Sequence, residues 1–222
     1  MENLYKNMLW IKRFIMNYYF DFDNTLYETA KLTEVMLNAI VNSIYNKTGK
    51  SLADLKKYAK ENFNSTTGNI FNFAEEMAEF FGVEKESVLE NLNNAIYNGD
   101  SIVFEDAKRY VENLYENHNK LYILTYIPDK KNHDYQMKKI IGSGIAKYFD
   151  GIIITTEYKF NLKLDYKNGI FFDDDPRDLN GLYEKNPIKV IRIRKENNKR
   201  SKIDMENNDI KEYTSFDDIK ID

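Results

Sequence analysis

NYYFDFDNTLY, residues 17–27, runs an aromatic, strand-like segment straight into Asp21 and Asp23, with Thr25 two positions further on. Two carboxylates in one crevice repel each other, and burial makes each costlier to ionise. A chain that sets them at the end of a buried strand therefore needs positive charge close by.

Four more short apolar runs share the character of residues 17–22, at 121–125, 151–155, 169–173 and 188–193. Helical stretches separate them. One, with Ala107, Tyr110, Val111 and Leu114, precedes LYILTY (121–126); another, with Met137, Ile140 and Ile141, precedes GIIITT (151–156). Strands alternating with helices build a parallel sheet joined by crossovers. The expected fold is α/β: an open, doubly wound, parallel five-stranded sheet. Residues 27–99 interrupt this alternation with helices alone. Leu32, Met36, Ile40 and Ile44 form one stripe, stopped by Gly49, and a Ser51-x-x-Asp54 box opens the next helix. Ile70, Phe73, Ala74, Met77 and Phe81 mark a third, stopped by Gly82, and Val88, Leu89, Leu92 and Ile96 a fourth. The division expected is a helical insert over 27–99 within a core of 17–26 and 100–222. Residues 1–16, with Leu4, Met8, Ile11 and Ile15 on one helical face, read as an upstream extension ahead of a natural start at Met16. Lys12 and Arg13, off that face, interrupt the linear apolar region, which argues against a secretory signal. The polar tail from about 195 reads as a loop with a short closing element after Ser215.

Composition removes several functions. With no cysteine there are no disulfides, thiolate nucleophiles or zinc–cysteine sites, which suits a reducing cytosol and a cytoplasmic location. His118 and His133 lie in charged surroundings and read as surface residues, so a Ser-His-Asp hydrolase is not expected. A net charge of −4 gives no basic footprint for nucleic acid. Apolar runs are broken by charges long before the length needed to span a bilayer, so no membrane partner is expected. The oligomeric state is not readable.

In a doubly wound sheet, ligands bind beyond the carboxyl ends of the strands. The first run delivers Asp21 and Asp23 there, the second Thr125, and the fourth Asp173, Asp174 and Asp178. A turn, a helix cap and a solvated acidic loop could each explain one of these. Together, in order, they point to one site. DFDNTL (21–26) resembles the D-x-D-x-T-L opening of the haloacid dehalogenase-like hydrolase superfamily. LYILT (121–125) resembles its second motif, FFDDDPRD (171–178) its acidic fourth motif, and MKKIIGSGIAKYFDGIIITT (137–156) its linking segment. The insert after the first motif falls where that family carries a helical cap of the C1 type.

The resemblance implies a phosphoryl-transfer site. Asp21 would be the nucleophile, forming an aspartyl-phosphate. Asp23 would protonate the leaving oxygen and then deprotonate water, its carbonyl also ligating Mg²⁺. Asp174 would be the direct acidic ligand, with Asp178 behind it and Asp173 a less favoured ligand. Thr125 and neighbouring backbone N–H groups, that of Tyr126 included, would hold phosphate oxygens. The donors are oxygen only, which favours Mg²⁺ over Zn²⁺. The dehalogenases that name the family lack the second aspartate, because an alkyl halide needs no leaving-group proton; Asp23 therefore argues for phosphoryl transfer. The family's phosphate-neutralising lysine would be Lys159 or Lys163, with a slight preference for Lys159, while Lys167 lies too close to the fourth strand. The substrate expected is a small phosphorylated metabolite. A nucleotidase-type phosphatase, a phosphotransferase or mutase with the same site, and a catalytically silent binding module are the alternatives. The segments 26–31 and 64–69 are candidate substrate-reading loops.

Overall fold

A computed structural model of the chain describes residues 15–64, 69–164, 166, 169–196 and 198–220. The amphipathic segment expected upstream of Met16 lies outside these residues, apart from its last positions, as do Lys167 and the centre of the 64–69 loop. In chain order the elements are β1 (Asn17–Phe20), α1 (Thr29–Thr48), α2 (Leu52–Asn62), α3 (Ile70–Phe81), α4 (Lys85–Tyr97), α5 (Glu105–Glu116), β2 (Lys120–Tyr126), α6 (His133–Gly142), β3 (Gly151–Thr155), β4 (Gly169–Asp173), α7 (Pro176–Lys185), β5 (Lys189–Ile193) and β6 (Lys211–Tyr213).

The strands form one parallel sheet in the order β3-β2-β1-β4-β5-β6. The chain travels outward from β1 through β2 to β3, then crosses back to β4 on the other side of β1. Alternation along the strands supplies both faces. Tyr18, Phe20, Ile123, Ile170 and Phe172 join a core that includes Ala107 and Val111 of α5. Tyr19, Leu124, Phe171 and Val190 join a second core with Leu179 and Leu182 of α7. Helices cover both faces, as a doubly wound sheet requires.

Among the described residues the sheet has six strands, one more than the apolar runs indicate. The sixth, Lys-Glu-Tyr at 211–213, is too short and polar to show alternation, and it joins as an edge by pairing with β5. The closing element after Ser215 is a single 3-10 turn, Phe216–Asp218. Its Phe216 ring is buried against Phe20, Tyr110 and Phe172.

Asp106, in the first turn of α5, anchors this C-terminal segment. Its Oδ2 accepts from Lys195 Nζ at 2.5 Å, Ser215 Oγ at 2.9 Å and the Phe216 N–H at 2.8 Å. Burial disfavours its charge, but the Lys195 ammonium and these donors outweigh burial and hold the carboxyl below its usual range. A depressed folded-state pKa means that the stabilisation is complete above the unfolded value, about 3.9, and is lost as pH falls through the folded value. Asp106→Asn should therefore cost about 1–3 kcal/mol at neutral pH. In denaturant titrations that difference should shrink progressively below about pH 4.

The first four of the helices between β1 and β2, α1–α4, pack on one another, with α1 against α2, α3 and α4, and α3 against α4. Ser51 caps α2 by accepting from the Asp54 N–H at 3.4 Å, and Gly49 and Gly82 end α1 and α3 at φ 64° and 67°. Leu32, Met36, Ile40, Leu92 and Ile96 continue the core cluster of one sheet face. The chain leaves α4 beside the end of α6, where the Gly99 N–H donates to Gly142 O at 3.0 Å. A Cβ on Gly142 would lie 2.4 Å from Ile96 O and 2.7 Å from Tyr97 Cα, so this backbone crossing requires glycine.

Candidate active site

Register places the first carboxylates. Phe20 pairs with Phe172, so Asp21 and Asp173 leave β1 and β4 side by side, and the Asp21 N–H donates to Phe172 O at 2.8 Å. Asp174 follows, and Asp175 caps α7 by accepting from the Arg177 N–H at 3.0 Å, with Pro176 at the first helical position. Asp21, Asp173 and Asp174 are buried and offer carboxylate oxygens that all lie within 4.8 Å of one another.

The charge that the opening motif needs is built into the chain. After β3 the backbone returns over the carboxyl ends of the strands and buries Lys159 to 1% exposure. Its ammonium lies 2.6 Å from Asp21 Oδ1, 2.6 Å from Asp173 Oδ2 and 3.6 Å from Asp178 Oδ2. The Lys159 N–H also donates to Asp178 Oδ1 at 3.1 Å, so Asp178 positions the lysine from behind. Burial opposes the lysine's charge, but Asp173, Asp21 and Asp178 outweigh it and raise its pKa above the usual range. Lys163, the alternative, is exposed and makes none of these contacts.

One lysine does not balance the cluster. Burial pushes Asp21 well above the carboxylate range; Lys159 counters it, and Asp173 and Asp174 add to it. Burial, reinforced by Asp173, pushes Asp174 up to about 7 and Asp178 to about 6. Asp21, Asp173 and Asp174 are three buried oxygen donors set beside one lysine, a site short of positive charge, and a hard divalent cation fits that donor set. Asp173, read from sequence as the less favoured ligand, belongs to this trio, whereas Asp178 and the carboxylate of Asp23 lie outside it.

Asp23 has separate surroundings. Its Oδ1 accepts from Lys139 Nζ at 2.5 Å and Thr29 Oγ1 at 2.9 Å, and its Oδ2 from Gln136 Nε2 at 2.7 Å. Burial would raise its pKa, but Lys139 and the three hydrogen bonds outweigh burial and lower it. The same Gln136 amide donates to Thr125 Oγ1 at 3.1 Å, linking the end of β2 to Asp23. Asp23, Lys139 and Gln136 form one wall of a cavity of about 830 Å³. Met36 of α1, Phe71 of α3, and Phe63 and Asn69, which flank the ends of α2 and α3, line much of the rest with Tyr126 and Tyr135. Thr29, from the 26–31 turn, also faces this space.

Several of these partners escaped the sequence reading. The apolar positions of α6 suggested a stripe of Met137, Ile140 and Ile141. In the structure Ile141 is exposed, and Gln136 and Lys139 are buried beside Ile140. The polar tail also returns to the site. Asn198 Nδ2 donates to Asp174 Oδ2, and Arg200 approaches Asp174 Oδ1 at 3.3 Å and Asp175 Oδ2 at 3.2 Å. Arg192, fully buried on β5, donates to the Asp174 carbonyl at 3.3 Å and the Arg200 carbonyl at 2.6 Å. An arginine inside the apolar run of the fifth strand was the available signal for this. His118 and His133 are exposed and take no part.

A family model described as haloacid dehalogenase-like hydrolase matches residues 18–181, and the chain belongs to that family. Solved structures agree at the level of fold. A haloacid dehalogenase-like hydrolase from Burkholderia xenovorans aligns at TM-score 0.58 and 14% identity, covering 92% of this chain and 94% of that one. A HAD phosphatase from Thermococcus onnurineus aligns at TM-score 0.52 and 16% identity, with 91% and 95% covered. A HAD-hydrolase from Bacillus subtilis bound to magnesium aligns at TM-score 0.51 and 12% identity, with 91% and 96% covered. No curated protein matches the chain. Among the described residues no helix is long and apolar enough to cross a membrane.

Proposed function

We propose that this hydrolase is a Mg²⁺-dependent phosphomonoesterase that acts on a small phosphorylated metabolite through a phosphorylated Asp21. The observation that carries the reading is the convergence of Asp21, Asp173 and Asp174 oxygens within 4.8 Å, next to a buried lysine and a second, separately held aspartate. Asp21 and Asp174, with the backbone carbonyl of Asp23 and with Asp173 adjoining, would hold Mg²⁺. When bound, that ion would offset the charge of the phosphate and let a carboxylate approach phosphorus.

The chain's own groups do the rest. Asp21 attacks phosphorus, and Lys159 spreads positive charge over Asp21 and Asp173. Asp23 protonates the leaving oxygen, then takes a proton from the water that releases phosphate. Thr125 and the backbone N–H groups beside it hold phosphate oxygens. The helices α1–α4 help to wall off the cavity in which the leaving group sits. Asp23 favours a phosphate ester over an alkyl halide, because only the ester's leaving oxygen needs a proton.

The test is a panel of phosphorylated metabolites assayed with and without Mg²⁺, alongside a haloacid. Hydrolysis of one ester class that disappears with chelator supports the reading. Metal-independent turnover, or halide release without phosphate release, refutes it.

A further inference from the structure

Lysine on a helix face ordinarily extends its ammonium into water. Lys139 does the opposite: it is 4% exposed, with its ammonium 2.5 Å from Asp23 Oδ1 and resting over the rings of Tyr135 at 5.4 Å and Phe22 at 5.8 Å. It is a second buried lysine, distinct from Lys159. The phosphate-transfer chemistry set out above does not use it.

An ionised carboxylate has about four acceptor positions, two on each oxygen. Among the described residues, both positions on Asp23 Oδ1 are taken, by Lys139 and Thr29, and one on Oδ2 is taken by Gln136. One position on Oδ2 remains. We propose that Lys139 is a positioning residue for Asp23: with Thr29 it occupies Oδ1, so that Oδ2 alone exchanges protons with the leaving group and with water. This rests on the phosphomonoesterase reading.

The two half-reactions then run through one atom. In the first, Asp23 having taken a proton from water on Oδ2, the Asp21–phosphorus bond forms and the bond from phosphorus to the leaving oxygen breaks as that oxygen takes the proton from Oδ2. In the second, a water oxygen bonds to phosphorus, Asp21 is released, and the water's proton returns to Oδ2. Gln136 joins this atom to Thr125, so the carboxylate keeps its aim relative to the phosphate-holding end of β2.

The test compares two esters that differ in their need for a leaving-group proton. β-Glycerophosphate leaves as an alkoxide and needs protonation, whereas p-nitrophenyl phosphate leaves as a stable phenolate. Alcohol release is followed in a single turnover, so that the later hydrolysis step does not mask the difference. Lys139→Met should lose about 100-fold or more with glycerophosphate and less than about tenfold with p-nitrophenyl phosphate, with little change in KM. Lys139→Arg should recover part of the loss. Thr29→Val, a milder change of nearly equal shape, should show the same split at smaller size and serves if Lys139→Met does not fold. Equal losses on both esters, or no loss on either, would overturn the proposal. A wild-type protein inert toward every phosphate ester overturns instead the hydrolase reading on which it rests.

Discussion

Asp21→Asn should abolish turnover, with kcat falling by at least about 10⁴-fold, while the protein folds as well as the wild type. Removing a nucleophile leaves only binding and electrostatic contributions, and losses of this order follow. The neutral stability outcome comes from the cluster itself. Burial, reinforced by Asp173 and Asp174, already works against charge on Asp21, and asparagine fills nearly the same volume without that charge. Lys159 keeps Asp173 and Asp178 as partners. Initial rates and denaturant titrations on the same preparation check both halves. Substantial residual turnover would place the nucleophile elsewhere, and loss of folding would show that Asp21 serves stability first.

Lys159→Met should instead damage both stability and activity. The ammonium is the buried cation that Asp21, Asp173 and Asp178 share. Taking away one side of a buried ion pair strands the other in low dielectric, at a cost of about 3–5 kcal/mol. The deficit should depend on pH. Asp174 and Asp178 are already raised to about 7 and about 6, and losing the lysine raises the adjacent carboxyls further. A carboxyl with a raised folded-state pKa binds its proton more readily in the native state, so native stability recovers as pH falls through that range. Stability of the variant relative to wild type, measured from pH 8 down to about 5, should improve steadily. A flat difference would mean that the charge of Lys159 contributes little.

The parts of this site legible in sequence are those that local pattern encodes. Apolar runs marked β1 to β5, and the acids at the ends of β1 and β4 stand in fixed offsets from those runs. The helical stops at Gly49 and Gly82 follow from their left-handed backbone. What escaped depends on which way an element faces once packed. In α6 the apolar positions point to one stripe, yet the helix turns Gln136 and Lys139 inward, because Asp23 supplies a charge that repays burying them. The tail from Asn198 to Arg200 has the composition of a solvated loop. Its return to Asp174 depends on Arg192, whose role is visible only when β5 lies beside β4. Strand β6 was missed because three polar residues carry no period. Lys159 and Lys163 differ only in where the loop after β3 carries them, which spacing alone could not decide.

The central claim is that Asp21 itself becomes phosphorylated, and trapping that intermediate tests it most directly. Wild-type enzyme mixed with a hydrolysed ester and Mg²⁺, quenched in acid within a turnover and digested, should yield a single phosphorylated peptide carrying the group on Asp21. The modification should vanish after mild base and be absent from Asp21→Asn. A phosphoryl group found on another side chain, or full turnover with no protein-bound phosphate at any quench time, would contradict the account.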